Sequence, residues 1–149
     1  AGEEGLCIEG KTRFCRVIPV PECHTSEDAV VWFPREGVMF TGDIFGWGMI
    51  PRIGNIDDAV LDRLIGIYDD LIALEPQTVI PGHGPLATVT ELKQCRDYLE
   101  WLPGRIRELI DAGTDKRRIP QEIPPPEGMA SWWRFAEAKH PNNLRRLLP

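Results

Sequence analysis

The 149-residue chain has the length of one domain. Its 42% apolar and 27% charged content exclude a disordered or fibrous protein. A formal net charge of −6 without a long Lys or Arg run argues against nucleic acid or an anionic membrane as partner. No apolar stretch approaches the ~20 residues of a membrane-spanning helix. Four cysteines, Cys7, Cys15, Cys23 and Cys95, make no C-x-x-C pair and no zinc-finger spacing, so free, buried or half-buried thiols are expected. With no signal-peptide pattern in the small, acidic start, a reducing, cytoplasmic location is the expectation.

In chain order, Leu6-Cys7-Ile8 and residues 12–17 flank Glu9-Gly10-Lys11, a plausible hairpin turn because Gly tolerates positive φ. Pro19 and Pro21 are expected to break the strand that follows. Residues 22–28 are polar and loop-like. Residues 29–33 and 38–41 are continuous apolar runs that suit strands buried on both faces. After a loop over residues 44–55 the period changes. Val60, Leu61, Leu64, Ile67, Tyr68, Leu71 and Ile72 recur at helical spacing, with Asp57 and Asp58 near the N-terminal dipole. Thr78-Val79-Ile80 is a short strand, and residues 88–102 read as a helix capped by Thr88 or Thr90, kinked or restarted at Pro103-Gly104. Residues 118–126 read as an extended connection, and the tail from Met129 to Leu148 carries enough aromatic and aliphatic residues to pack on something. The order fits a layered α/β domain, with residues 1–113 as the main body and 114–149 as connection and helical tail.

Three polar residues each follow an apolar strand: His24, Asp43 and His83. Strand-end loops let a sheet converge side chains on one point, and two imidazoles with a carboxylate suit Zn²⁺, Fe²⁺ or Mn²⁺. Taken singly, each has a plainer reading: a hydrogen-bonded loop histidine, a Gly-Asp turn and a rigid Pro-Gly-His-Gly-Pro turn.

Together they resemble the second half of the metallo-β-lactamase superfamily. The shared order is His24-Thr25-x-x-Asp28, an apolar strand, Thr41-Gly42-Asp43, a helix, then Val79-Ile80-Pro81-Gly82-His83-Gly84-Pro85. The resemblance covers about residues 6–102. It implies the C-terminal half of an αββα sandwich and a metal-dependent hydrolase. The implied ligands are His24 on a first metal, Asp43 bridging as the catalytic carboxylate, and His83 on a second. Two divalent ions are implied as cofactors, zinc foremost, with iron or manganese as alternatives. The family's earlier motif, His-x-His-x-Asp-His, is absent. The chain holds three histidines, His24, His83 and His140, where the family's dinuclear site needs five. His140 and Asn143 resemble the C-terminal helix of some members; His140 is expected to be structural or exposed.

The missing half leaves a fragment of a longer hydrolase, a subunit of a split enzyme, or a degenerate interaction module. The expected partners are the complementary half or a second copy, and a small-molecule substrate. The loop after Asp43, with Phe45, Trp47, Met49 and Ile50, points to an organic substrate unless those side chains serve as core. A flavodiiron-like redox domain and a non-catalytic assembly subunit are the other readings.

Overall fold

The computed structural model describes residues 5–51 and 56–148. Five strands form one sheet in the order β1 (Leu6–Glu9), β2 (Phe14–Val20), β3 (Asp28–Phe33), β4 (Val38–Gly42) and β5 (Thr78–Pro81). The first three pairings are antiparallel and the β4–β5 pairing is parallel. β2, β4 and β5 therefore run the same way, and the chain leaves all three at one end of the sheet. That end carries His24, Asp43 and His83.

β2 runs through Pro19, contrary to the break expected there. β1 pairs with residues 14–17 only, so Pro19 lies beyond its reach. The imino nitrogen, which cannot donate, therefore leaves no ladder partner unsatisfied on that side. Pro19 still pairs in register with Ala29 of β3.

The apolar runs of β3 and β4 are not buried on both faces. Val30, Trp32, Met39, Thr41 and Val79 point into the core, while Val31, Phe33, Val38, Phe40 and Ile80 share the opposite face in register. The strand alternation is plain in the burial of each residue, and Phe40 is 42% exposed. Leu6 and Ile8 extend this face through their pairing with Val17 and Cys15, and are exposed as well. No helix of the described residues covers it, so a period-2 strand stays half open although its sequence is apolar throughout.

The core face is covered by helices α1 (Asp58–Ala73) and α2 (Val89–Asp111). Asp57 caps α1 by accepting from the Val60 N–H, and Leu61, Leu64, Tyr68 and Leu71 form its buried stripe. Thr88 and Glu91 close a reciprocal capping box at the start of α2. That helix continues through Pro103 instead of restarting. The proline removes a single bond to the Leu99 carbonyl, while Leu99, Leu102 and Ile106 on either side stay buried.

Residues 118–126 are less extended than their composition suggests. Ile119 and Ile123 are fully buried, and the chain between them makes one helical turn, α3 (Ile119–Glu122). A π-helical turn (Phe135–Lys139) then runs directly into α4 (His140–Leu147). Met129, Trp132, Phe135 and Leu144 join the same hydrophobic cluster as the sheet and the two long helices. Cys23 and Cys95 are buried and Cys7 is exposed; all four thiols are free. No helix among the described residues is long and apolar enough to cross a membrane.

Replacing Pro103 by Ala restores the missing helical bond and is expected to raise stability by about 1–3 kcal/mol. The readout is an upward shift of the urea midpoint at unchanged slope. An unchanged or lower midpoint would mean that contacts of the proline ring outweigh the bond.

Candidate metal centre

The three strand ends bring His24, Asp43 and His83 together. The Asp43 carboxylate lies between the two imidazoles, with Oδ2 3.8 Å from His24 Nε2 and Oδ1 3.5 Å from His83 Nε2. Each ring faces a different oxygen, so the three groups do not meet at a single point. Among the described residues no set of three or more His, Cys, Asp or Glu side chains converges to hold one ion.

Each position has a local cause. Asp28, at the start of β3, accepts from the His24 and Thr25 N–H groups at 2.5 and 2.6 Å and from the Thr25 hydroxyl at 2.9 Å. This holds the loop after β2 folded back across the sheet end toward Asp43. Gly42 turns the chain at φ +52°, and the Gly82 N–H donates to the Gly42 carbonyl at 2.8 Å. Gly82 is required for another reason. A Cβ there would fall 2.2 Å from Asp43 Oδ1 and 3.0 Å from the Gly42 carbonyl carbon. His24 carries one cost: its Nδ1 is buried without a hydrogen-bond partner, so no neighbour fixes its tautomer.

A cleft of about 320 Å³ opens beside Asp43 and His83, walled by Met49, Trp133, Arg134 and Lys139. Trp133 stacks on the His83 ring at 6.5 Å and 18°. Lys139 Nζ sits 4.6 Å from the centre of the Trp133 ring and donates to the Gly46 carbonyl. Burial, with Arg134 adding to it, pushes the Lys139 ammonium down to about 8, which leaves it largely charged at neutral pH. Neither Trp133 nor Lys139 was expected at the site. The tail was legible as a packing element, but nothing in its spacing says that it closes one side of the cleft.

Phe45, Trp47 and Ile50 are core, not a substrate surface; of the apolar residues in that loop, Met49 lines the cleft. Residues 52–55 of the same loop lie outside the described residues. Cys23 is buried and its thiol is pushed up to about 12, chiefly by burial and then by Asp28, so it stays protonated. His140 is structural. Its Nε2 lies 2.9 Å from the Ile123 carbonyl, which can only accept, so the proton is on Nε2. Its Nδ1 then accepts from the Tyr98 hydroxyl at 2.8 Å.

The fold defines the class: the chain has a partial metallo-β-lactamase-type fold. Among solved structures, the stereoselective inverting sec-alkylsulfatase Pisa1 from Pseudomonas sp. superposes with a TM-score of 0.71 at 17% identity, over 99% of this chain and 25% of that one. A metallo-beta-lactamase family protein from Thermus thermophilus gives a TM-score of 0.57 at 19% identity, over 93% of this chain and 45% of that one. The first of these takes in the tail as well as the body. By sequence, metallo-beta-lactamase type 2 of Bacteroides fragilis is 35% identical over 63 residues, 41% of this chain and 25% of that protein. Methylcytosine dioxygenase TET3 of Homo sapiens is 34% identical over 62 residues, only 4% of its length, and carries no argument. No protein-family model matches the sequence. The chain thus spans a quarter or less of the length of these two curated relatives.

Gly82→Ala should displace the Asp43 carboxylate and cost about 1–3 kcal/mol, because the backbone contact cannot swing away; an unchanged urea midpoint would show the loop yielding freely. His140 is held below the ordinary histidine pKa by burial. Below about pH 6.5 the unfolded chain therefore binds a proton that the native state resists. The contribution is full above that pH and is lost as pH falls through it. Wild type should lose more stability between pH 7.5 and 5.5 than His140→Gln, which cannot protonate; parallel losses would contradict this.

Proposed function

We propose that the chain supplies the C-terminal half of a two-metal hydrolase site. In this reading His24 binds one ion, Asp43 bridges, and His83 binds the other. The observation that carries it is the spacing of the Asp43 oxygens. Direct hydrogen bonds from the rings would measure about 2.7–3.2 Å. Two donors each 2.0–2.1 Å from a shared tetrahedral ion lie roughly 3.3–3.4 Å apart. The observed 3.5 and 3.8 Å sit nearer the second case, once on each oxygen. The donor set therefore fits a pair of divalent ions, with zinc best suited to two imidazoles and a carboxylate.

Ions held there would lower the pKa of a bound water toward neutrality and would polarise a carbonyl, phosphoryl or sulfuryl oxygen. The chain's own groups orient the rest. Asp28 fixes the His24 loop, Gly82 admits the carboxylate, and Trp133 lies parallel beside the His83 ring, which stays largely exposed.

Each ion would find one imidazole and one carboxylate oxygen here, short of the usual three or four protein ligands. The apolar face carrying Phe33, Phe40 and Leu6 is short of a cover in the same way. Both deficits are met by one complementary half, in the same polypeptide or another, that brings the histidine-rich motif and a second sheet. The inverting sulfatase and the β-lactamases among the similar proteins support hydrolysis of an organic ester or amide as the reaction class.

Zinc affinity, measured by competition with a chromophoric chelator, tests the reading. The chain alone should bind zinc weakly. Asp43→Asn, His24→Ala and His83→Ala should each weaken it by at least about tenfold. Equal affinity in all three variants and wild type would remove the site.

A further inference from the structure

Lys139 is 9% exposed, yet no Asp or Glu oxygen among the described residues lies within 4.0 Å of its ammonium. Its recorded contacts are the Gly46 carbonyl and the face of Trp133. A buried cation without a counter-charge is costly. Neutral dipoles and a ring quadrupole offset only part of that cost. Arg134 stands on the same rim and forms no ion pair among the described residues; its guanidinium rests 5.9 Å from the same Trp133 ring. It is held there by a left-handed backbone, φ 54°, unusual for a residue other than glycine. Of the residues lining the cleft, only Asp43 is acidic, and its two oxygens face the histidines. One wall thus carries two cations, neither in an ion pair within 4.0 Å among the described residues, directly beside the candidate metal ligands; the exposed Glu137 carboxylate acts on Lys139 only from farther away.

We propose that Lys139 and Arg134 form an oxyanion-binding subsite that takes an anionic group of the substrate (sulfate, phosphate or carboxylate) beside Asp43 and His83. This rests on the hydrolase reading above for its role in turnover, but not for the binding itself. The ammonium has donors left after the Gly46 contact, and the guanidinium offers a planar fork at the rim. The pair would hold the charged end of an ester so that the bond to be cut lies over Asp43. The cleft's volume of about 320 Å³ suits a small head group with a short organic stem running along Met49.

The test is calorimetric titration of the chain with inorganic sulfate and with phenyl phosphate at low ionic strength, once in chelator and once with zinc. Saturable binding should appear already in chelator. It should weaken about tenfold or more in Lys139→Met and by a smaller factor in Arg134→Gln. Lys139→Arg should retain binding, because the charge is kept. Lys93→Met, on the exposed side of α2, should change nothing. If Lys139→Met does not fold, the comparison of Lys139→Arg with Arg134→Gln decides, since Arg134 lies on the surface. No saturable binding in chelator, or binding that ignores both substitutions, overturns the subsite. Anion binding through Lys139 in a chain whose zinc affinity ignores Asp43, His24 and His83 would sink the metal reading and leave the subsite standing. The reverse pattern would sink the subsite alone.

Discussion

Residues 44–51, which follow Asp43, have no regular hydrogen bonding of their own, and most of them are buried. Buried backbone N–H and C=O groups must find partners, and here other parts of the chain provide them. Asn143 accepts from the Ile50 N–H and donates to the Gly48 carbonyl. Lys139 donates to the Gly46 carbonyl, Arg146 to those of Ile50 and Pro51, and the Tyr68 hydroxyl to that of Ile44. Within the loop, Trp47 donates its indole N–H outward to the Pro85 carbonyl, beside His83. An irregular segment is thereby fixed by side chains, three of them on the tail. Asp43 keeps its position because the residues after it cannot move independently of α4.

This explains why the tail belongs to the site although it supplies none of the candidate ligands. Asn143 also donates to the Tyr98 hydroxyl, which in turn bonds His140. His140 reaches the Ile123 carbonyl, so one chain of polar contacts links the Asp43 loop, α2, the connection and α4. A network of this kind is worth having only when fully satisfied, and all of its named members are. Lys139 is the exception in kind: its ammonium keeps donors beyond the bond to Gly46 and has no carboxylate within ion-pair distance among the described residues.

Much of the site was legible because strand ends announce themselves. An apolar run that stops at Gly-Asp or Pro-Gly-His marks where the sheet ends; the antiparallel β3 between them puts the ends of β2 and β4 together, and the parallel β4–β5 pairing adds the end of β5. The carrier of the loop was not legible. Its bonds join residues 93–96 apart, and no local period records such a pairing. Pro19, and Pro103 where a restart of the helix was expected, misled for the opposite reason. Each forbids one backbone bond, and in both cases the fold had no need of that bond or could spare it. Phe45, Trp47 and Ile50 read equally well as substrate surface or core, since apolarity alone does not say which side of a loop faces water.

The expectation that β3 and β4 are buried on both faces differs from these errors. A strand that faces solvent on one side normally alternates polar with apolar residues, and these two do not. Phe33 and Phe40 pack edge to face on the open side at 6.0 Å, a pairing suited to an interior and placed on a surface. The sequence pattern therefore describes a more buried state than the described residues provide. On the hydrolase reading the ligand count would say the same in different terms: two imidazoles and one carboxylate would give two half-sites, neither sufficient for an ion. Hydrophobic patterning and coordination chemistry are independent constraints, and on that reading both would be unsatisfied within the described residues. A second sheet laid on the open face and bearing imidazoles at its strand ends would satisfy the two together, whereas a second copy of this chain would cover the face without supplying the missing motif.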